Sequence, residues 1–408
     1  MKYVDEFRDG ELAKTIAARV ASAADTGRTY HFMEFCGGHT HAISRYGVKD
    51  LLPSNVVMVH GPGCPVCVLP IGRIDMAIDL AMGTLTPDPH PQPFSQGRRE
   101  HFSPLSLGRG AGGEGPSNIT LCTYADTMRV PASNGMSLMK AKAQGADIRM
   151  VYSAADVLRI AREEPERQVV FFAIGFETTT PPTALVVKQA ALLKLENFSV
   201  FVNHVLTPSA IAHILESPEV RDLGTVVIDG FVGPAHVSTI IGSQPYEYFA
   251  EEYRKPVVIA GFEPLDVMQA IEMLVKQVND GRACVENEFS RAVTREGNAK
   301  AKALVAELFE LRREFEWRGL GLVPYSALRL KDEWAAFDAE RRFGLKGRSV
   351  PDNKACECGA ILRGVKKPTD CKVFGTACTP ETPIGSCMVS SEGACAAHYT
   401  YGRYRTAA

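Results

Sequence analysis

The feature that most constrains the fold is a series of short, continuously apolar runs that alternate with helix-like segments. Because these runs are apolar without interruption, rather than at every second position, they predict strands buried on both faces. Such strands occur in parallel sheets covered by helices, so the chain is predicted to have an α/β fold. The eight runs read HFMEF, VVMVH, ITLCT, IRMVY, VVFFAIG, FSVFV, TVVID and PVVIA.

The order of these runs predicts two similar parallel-sheet α/β domains and a helical, cysteine-rich third domain. The chain has 408 residues, enough for two or three hydrophobic cores. The first four runs fall in 26–152 and the next four in 153–265, with a boundary near Ser153. The third domain is predicted to combine an amphipathic helix in 1–25 with 266–408. There, REGNAKAKALVAELFELRREFEWRG predicts a long charged helix before a tail rich in Cys, Gly and Pro.

One segment interrupts this alternation. Residues 86–118 are rich in Pro, Gly, Ser and Arg and lack aliphatic periodicity, which predicts a disordered insertion. The segment contains GAGGEG, which satisfies the G-x-G-x-x-G expression for dinucleotide binding. That motif needs a strand before it and a helix after it, whereas here a polar loop precedes it and a strand follows. We therefore predict no NAD site, and the sequence has no phosphate-binding loop for ATP.

Charge and hydropathy exclude several classes of partner. The 45 basic and 47 acidic residues nearly cancel, for a formal net charge of -2, without a long run of one sign. Nucleic acid and anionic membranes are therefore not expected as partners. The apolar stretches are shorter than the roughly 20 residues of a membrane span, and the amino terminus lacks the apolar centre of a signal peptide. These features predict a cytoplasmic protein.

Six cysteines in the tail predict a metal cofactor. The tail has too few apolar residues to fold on burial alone, and stable structural disulfides are rare in a reducing compartment. Structural zinc sites use paired C-x₂₋₄-C knuckles, whereas the intervals here are one, twelve, six, eight and seven residues. An iron-sulfur cluster is therefore favoured, and structural zinc is the alternative. The six are Cys356, Cys358, Cys371, Cys378, Cys387 and Cys395.

The C-x-C sequence of this tail resembles that of ferredoxin-thioredoxin reductase. There, one cysteine of such a pair binds the cluster and its neighbour joins a disulfide beside it. The resemblance implies a 4Fe-4S cluster on four cysteines and a redox-active pair formed by Cys358 and Cys387. The four implied ligands are Cys356, Cys371, Cys378 and Cys395.

Three further cysteines follow predicted strands, at the end where parallel α/β sheets bind ligands. Cys36 lies in EFCGGHTH, and Cys64 and Cys67 form a C-x-x-C in HGPGCPVC ahead of a predicted helix. A helix N-terminus lowers a thiol pKa, so thiolates are expected there. The C-x-x-C is either a redox pair or half of a metal site. His39 and His41 are candidate metal ligands, although loop histidines more often cap helices or bond to the backbone.

Polar residues at the ends of other predicted strands are expected to line one cleft between two sheets. A carboxylate in such a position can instead cap the next helix, an interpretation at least as good for Glu263 and Asp266. Cys122 and Cys284 are expected to be small, buried and inert. The polar strand-end residues are Asp126, Glu177, His204, Asp229, His236 and Glu263.

Several motifs that occur together in one order identify the chain as similar to the HypD family of hydrogenase maturation factors. The similarity extends over nearly the whole chain outside 86–118. The motifs are EFCGGHTH, HGPGCPVC, FFAIGFETTTP, IDGFVGPAHVS, VIAGFEPLD, VTREGNAKA, WRGLG and CTPETPIGSCMVSSEGACAAHY.

This resemblance implies a scaffold on which iron receives two cyanides and one carbon monoxide before delivery to the large subunit of a nickel-iron hydrogenase. It implies a small chaperone, HypC, as partner, and HypE, acting with HypF, as the cyanide donor. It also implies that Cys36 binds this iron and that Cys64 and Cys67 are the thiols beside it. Electrons would enter at the tail cluster and pass through Cys358 and Cys387 to Cys64 and Cys67.

Two other functions stay open at this point. The first is a disulfide reductase of the ferredoxin-thioredoxin type, and the second is an electron-carrying cluster protein. A reductase has no use for a third cysteine that faces the C-x-x-C, so Cys36 favours the scaffold. Whether such a scaffold also catalyses cyanide transfer is open.

Overall fold

A computed structural model describes residues 5–84, 118–218, 222 and 227–402. Its α/β fold, built on two parallel sheets, confirms the predicted fold class. The insertion predicted over 86–118 lies outside the described residues except for Asn118, so its disorder stays a prediction. Over the described ranges, every helix is too short or too polar to cross a membrane.

Most strands coincide with the apolar runs. Strands β1 to β13 are Tyr30–Glu34, Val56–His60, Ile119–Thr123, Ile148–Met150, Gln168–Gly175, Phe198–His204, Gly230–Pro234, Val257–Ala260, Val285–Asn287, Phe309–Leu311, Glu314–Trp317, Gly321–Pro324 and Leu328–Leu330. Helices α1 to α16 are Gly10–Ala23, Gly37–Tyr46, Val48–Leu51, Pro65–Val68, Ile71–Met82, Leu138–Ala143, Ala154–Glu163, Thr180–Leu192, Thr207–Glu216, Ala235–Ile241, Glu247–Glu252, Pro264–Asn279, Ala299–Leu308, Ala339–Arg342, Cys358–Leu362 and Ala394–Ala397.

The two parallel sheets are interleaved along the chain. The first has the order β2-β1-β7-β8-β9, and the second has the order β4-β3-β5-β6. The chain therefore begins the first sheet, builds the whole second sheet and then returns to complete the first. A division at Ser153 does not separate the sheets, because β3 pairs with β4 on one side and with β5 on the other, and not with β1 or β2. Burial makes all these strands look alike in sequence, so their apolar pattern carries no information about pairing partners.

Strand β7 begins at Gly230, after the run TVVID that was predicted to form it, of which Thr225 and Val226 lie outside the described residues. The Asp229 carboxylate accepts the backbone N–H of His31 at 2.8 Å, and the Asp229 N–H donates to the His31 carbonyl at 2.8 Å. Parallel pairing then continues with Phe32 opposite Gly230. Val227, within the predicted run, is exposed. The sequence of β7, GFVGP, did not predict a strand because Gly and Pro are typical of turns.

Helix α1 packs on α12, which lies almost wholly in 266–408, and on the first sheet, whereas the core that it joins includes none of the described tail cysteines. The Asp9 side chain caps it by accepting the N–H of Leu12 at 3.0 Å. Its buried face, including Ile16 and Val20, shares a core with Tyr30 of β1 and Leu274 of α12. Amphipathic periodicity predicts the helix and its apolar face, but not the layer that this face covers.

The long charged helix predicted before the tail is also shorter than expected. Helix α13 ends at Leu308, and Phe309 then enters β10, where it is buried opposite Leu330 of β13. Strands β11 and β12 form a second antiparallel pair, and the buried Trp317 indole N–H donates to the Ser326 hydroxyl at 2.8 Å. The region predicted to be helical therefore contains two small antiparallel sheets. Phe and Trp at these positions favour strands, a preference that the flanking charges obscured.

Candidate functional site

One cleft of about 450 Å³ lies at the carboxyl ends of strands from both parallel sheets. This is the edge at which parallel α/β sheets bind ligands. The structure brings Cys36, Cys64, Asp126 and His236 together in its wall, and Glu392 of the tail joins them. Sequence reasoning had placed the first four at strand ends. It had not placed the tail carboxylate here.

Cys36 lies at the start of α2, and its carbonyl accepts the His39 N–H at 2.9 Å. The N–H groups of Gly38 and His39 face its sulfur and lower the thiol pKa. Burial, reinforced by the Glu392 and Glu34 carboxylates, outweighs them and raises the pKa of Cys36 well above its ordinary value. Cys36 is therefore a protonated thiol, which a bound cation would convert to thiolate.

A buried polar network supports the Cys36 loop from below. The Glu34 carboxylate accepts the Cys36 N–H at 3.0 Å, the His60 Nδ1–H at 2.8 Å and the Thr40 hydroxyl. The Lys49 ammonium donates to His60 Nε2 at 3.0 Å. Burial lowers the pKa of His60, which leaves the ring neutral. Sequence reasoning missed Glu34 and His60, although a polar residue at the end of an apolar strand was the available signal.

The two cysteine loops meet through their backbones. The Gly37 N–H donates to the Gly63 carbonyl at 3.0 Å. A Cβ at position 63 would lie 2.3 Å from the Cys36 nitrogen, so this approach requires glycine. The contact holds Cys64, which immediately precedes α4, beside Cys36 in the cleft wall.

A row of thiols leads from the cleft into the tail. The sulfur of Cys67, which is fully buried, lies in hydrogen-bonding contact with those of Cys64 and Cys387. Cys387 in turn contacts Cys358. The Ser386 hydroxyl fixes the junction by donating to the Cys67 carbonyl at 2.6 Å. The order along the row is Cys64, Cys67, Cys387, Cys358, and all four are thiols in the structure.

The electrostatics of this row differ from those expected from the sequence. Burial raises the pKa of Cys67, so the thiolate predicted for it near a helix N-terminus is not supported. Hydrogen bonds from the thiols of Cys358 and Cys67 instead lower the pKa of Cys387 to about 6. Because thiolates are the nucleophiles of disulfide exchange, Cys387 is the reactive member of the row.

The remaining tail cysteines lie around the Cys358 end of the row of thiols. A Cβ at Gly385 would lie 2.3 Å from the Cys356 sulfur and 2.5 Å from that of Cys358, so the backbone passes directly against both. Buried thiols in an apolar environment are donors that fit an iron-sulfur cluster. Among the described residues, no three His, Cys, Asp or Glu side chains converge on a single-ion site. Three of the four cysteines predicted to be cluster ligands, Cys356, Cys378 and Cys395, lie near Cys358. The fourth, Cys371, lies beside Glu357.

Three carboxylates predicted to line the cleft, those of Glu177, Asp229 and Glu263, lie outside its wall. Asp229 precedes β7, at the opposite end of the sheet, and accepts from Arg28 at 2.6 Å. Glu263 and Asp266 form a reciprocal cap at the start of α12, which confirms the capping interpretation. Glu177 is buried and accepts the N–H of Thr207 at 2.8 Å, so it caps α9.

The other candidate residues are structural by their contacts. His39 donates from Nε2 to the carbonyls of Ala260 and Gly261, both at 3.0 Å, and His41 packs against Tyr401. His204 is buried with Nε2 2.9 Å from the Thr183 hydroxyl, and burial lowers its pKa to about 4. Cys122 is buried in β3 as predicted, whereas Cys284 is only half-buried. The Cys284 thiol donates to the side-chain oxygen of Gln277 at 3.2 Å.

The buried cap at Glu177 predicts a pH-dependent stability. Burial raises the pKa of Glu177 from 4.5 to about 7. The folded chain therefore holds a proton that the unfolded chain releases above pH 4.5, and stability falls as the pH rises towards 7. Glu177→Gln keeps the shape without the charge. It should match the wild type near pH 4.5 and exceed its unfolding free energy at pH 8 by up to about 3 kcal/mol.

Urea unfolding at both pH values measures this difference. Glu247→Gln, which removes an exposed carboxylate bonded to Arg295 at 2.7 Å, is the control and should give no gain at pH 8. A Glu177→Gln protein less stable than the wild type at pH 8 would show that α9 needs an ionised cap.

Fold and site together define a class of protein: a two-sheet α/β protein with a thiol-bearing cleft and a cysteine-rich tail in contact with it. The chain belongs to the HypD family, whose model, described as "Hydrogenase formation hypA family", matches residues 11–86 and 114–402. The stretch between these two ranges, 87–113, falls within the predicted insertion, 86–118.

Curated relatives match along the whole chain. "Hydrogenase maturation factor HypD" of Cupriavidus necator is 67% identical over 405 residues, covering 99% of this chain and 98% of the relative. The protein of the same name from Rhizobium leguminosarum bv. viciae is 66% identical over 405 residues, covering 99% of this chain and 97% of the relative. That of Escherichia coli (strain K12) is 41% identical, covering 98% of both.

Proposed function

We propose that this chain is a hydrogenase maturation factor, and specifically a scaffold on which an iron ion receives cyanide and carbon monoxide ligands. The names of its relatives support the general role. The observation that carries the specific role is the cleft in which Cys36 stands beside Cys64, at the open end of a row of thiols. A thiolate is a soft ligand suited to iron in this environment.

In this proposal the iron is the cargo and Cys36 is its ligand from the scaffold. Binding displaces the Cys36 proton, which burial otherwise retains. Cys64 and Cys67 lie next to the iron and keep the site reduced. Glu34 holds the loop by accepting the Cys36 N–H, and His60 holds the Glu34 carboxylate in place by donating to it.

The row of thiols supports a disulfide exchange that restores Cys64 and Cys67. The Cys387 thiolate attacks the Cys67 sulfur of an oxidised pair, the Cys64–Cys67 bond breaks, and Cys64 leaves and takes up a proton. Cys358 then attacks Cys387 in the mixed disulfide and releases Cys67, which also takes up a proton. Two electrons thus pass from the Cys358 and Cys387 pair to Cys64 and Cys67. Cys358 supplies one of the two protons and solvent supplies the other, because Cys387 reacts as the thiolate.

A 4Fe-4S cluster held by Cys356, Cys371, Cys378 and Cys395 would supply these electrons. The chain's own contribution is to keep Cys358 in contact with two of these ligands, Cys356 and Cys395, and with Cys387. The proposed partners are a HypC-type chaperone, HypE with HypF upstream as cyanide donor, and the hydrogenase large subunit. A reducing cytoplasm is the proposed location, because the row must remain reducible.

The second candidate is a disulfide reductase of the ferredoxin-thioredoxin type. The observation that favours it is the position of Cys64 in the cleft wall, where a protein disulfide could be reduced. Cys36 separates the two functions. It shares the cleft with Cys64, yet the row of sulfur contacts that runs from Cys64 to Cys358 does not include it.

Infrared spectroscopy of the anaerobically purified chain with its small chaperone tests the scaffold. We expect cyanide and carbon monoxide stretching bands in the wild type and complete loss of both in Cys36→Ala, with the iron-sulfur absorption retained. Cys284→Ala, outside the cleft, is the control and should keep the bands. Bands that persist in Cys36→Ala, or fully loaded complex without bands, would contradict the scaffold.

A further inference from the structure

The turn between β11 and β12, residues 318–320 of the motif WRGLG, lies outside the cleft wall but contacts the helix that precedes it in the row of thiols. The Arg318 N–H donates to the carbonyl of Val68 at 2.7 Å. Val68 is the last residue of α4 and directly follows Cys67, the second thiol of the row. The turn is therefore bonded to the helix that carries Cys67.

The same turn is also bonded to the helix at the other end of the row. Helix α15 begins at Cys358, and Arg363 directly follows its last residue. The Arg363 guanidinium donates to the Gly319 carbonyl at 2.6 Å. The two backbones touch as well, because a Cβ at Gly319 would lie 2.8 Å from the Gly359 Cα and one at Gly359 would lie 3.1 Å from the Gly319 Cα. Any side chain at either position would push the backbones apart.

Two adjacent residues of the turn thus separate α4 from α15. Because a peptide unit is planar and its bonds are of fixed length, the backbone from the Arg318 N–H to the Gly319 carbonyl can stretch little. The Arg318 side chain is buried and anchors the turn. Its guanidinium donates to the Asp352 carboxylate at 2.5 Å and to the Pro131 carbonyl at 3.3 Å. These bonds hold the two helices at one spacing.

The spacing of the two helices bears on the thiol that lies between them. Cys387 contacts Cys67 on one side and Cys358 on the other. The junction with Cys67 has a bond of its own, because the Ser386 hydroxyl donates to the Cys67 carbonyl at 2.6 Å. A wider separation of α4 and α15 would therefore be taken up at the contact between Cys387 and Cys358.

We propose that Gly319 and Gly359 are positioning residues of the disulfide exchange. Their contact holds Cys358 within reach of Cys387. The proposal rests on the proposed function and deepens it. In the step concerned, the Cys358 sulfur attacks that of Cys387, the bond from Cys387 to Cys67 breaks, and Cys67 leaves and takes up a proton. A misplacement of about 1 Å can slow an oriented step by a factor of roughly 100.

Two alanine variants widen this contact. Gly319→Ala places a methyl group 2.8 Å from the Gly359 backbone, at a residue whose φ is +84°. Gly359→Ala places one 3.1 Å from the Gly319 backbone. Because alanine is better than glycine within a helix by about 1 kcal/mol, Gly359→Ala should fold even if Gly319→Ala does not. Gly321→Ala is the matched control, because it has a similar φ of +81° and a Cβ there meets nothing within 4 Å.

The readout is the movement of one disulfide through the row under anaerobic conditions. Protein with an oxidised Cys64–Cys67 pair receives electrons from a photoreduced flavin, samples are quenched in acid, and mass spectrometry maps the disulfides. In the wild type and the control, the pair should be reduced while the Cys67–Cys387 mixed disulfide stays scarce. In both variants at the contact, reduction should slow by about tenfold or more and the mixed disulfide should accumulate.

The accumulated species distinguishes positioning from a general loss of stability, because a loosened structure would not favour one mixed disulfide. Iron-sulfur absorption and the thermal midpoint of each variant show that the protein is folded. A folded Gly359→Ala protein that reduces the pair at the rate of Gly321→Ala would overturn the proposal. So would slow reduction without accumulation of the mixed disulfide.

The same experiment separates this proposal from the exchange on which it rests. If the wild type reduces the pair no faster than Cys387→Ser, the exchange fails and this proposal fails with it. If the wild type is faster than Cys387→Ser and Gly359→Ala matches the wild type, the exchange stands and the positioning role is wrong.

Discussion

Replacement of Cys387 by Ser should leave an oxidised Cys64–Cys67 pair that electrons entering at the tail no longer reduce. Cys387 is the contact between the tail thiols and Cys67, and its lowered pKa makes it the attacking group. A hydroxyl at this position preserves size and hydrogen bonding but cannot form a mixed disulfide. Reduction of the pair should therefore fall to the background rate of the reductant, and maturation should be lost with it.

The measurement starts from protein with an oxidised Cys64–Cys67 pair under anaerobic conditions. A photoreduced flavin supplies electrons, and mass spectrometry after alkylation counts free thiols at Cys64 and Cys67 over time. Cys284→Ser, a half-buried thiol outside the row, is the control and should behave as the wild type. Equal rates in Cys387→Ser and the wild type would show that electrons reach the cleft by another path.

Replacement of Gly385 by Ala should remove the iron-sulfur cluster. The new methyl group would lie 2.3 Å from the Cys356 sulfur and 2.5 Å from the Cys358 sulfur, so both sulfurs would have to move. Overpacking of this kind costs about 1–3 kcal/mol even where neighbours can adjust. Here the neighbours include a proposed cluster ligand and a proposed redox thiol, so their displacement should abolish binding.

Iron content and visible absorption after anaerobic reconstitution measure how much iron-sulfur cluster the Gly385→Ala protein has lost. Gly347→Ala is the control, because a Cβ there meets nothing within 4 Å. It should bind the cluster as the wild type does. A Gly385→Ala protein with full iron content would mean that Cys356 and Cys358 stand clear of the cluster.

The class of fold was predictable because burial determines composition. Strands such as Val257–Ala260, covered on both faces, must be apolar throughout, and the helices between them need apolar faces. Strand pairing was not predictable, because β3 is as apolar as β1 and nothing in either sequence names its neighbour. Strand β7 was misplaced because its two glycines and its proline are typical of turns.

The site was predictable where it depends on strand ends. Cys36, Cys64, Asp126 and His236 follow strands directly, and the carboxyl ends of parallel strands meet at one edge. The contact between Cys67 and Cys387 was different, because it joins residues 320 positions apart through tertiary packing.

The interleaving of the two sheets has a consequence for biosynthesis. The four-stranded sheet is one uninterrupted stretch of chain, so we expect it to fold as soon as β6 leaves the ribosome. The five-stranded sheet must wait for β7, β8 and β9, and β1, although paired with β2, meanwhile lacks β7 on its other side. The thiol row waits longer still, for Cys387 near the carboxyl terminus. A nascent chain can thus present Cys36, Cys64 and Cys67 before the tail thiols exist, and the complete row is assembled only when translation is almost finished.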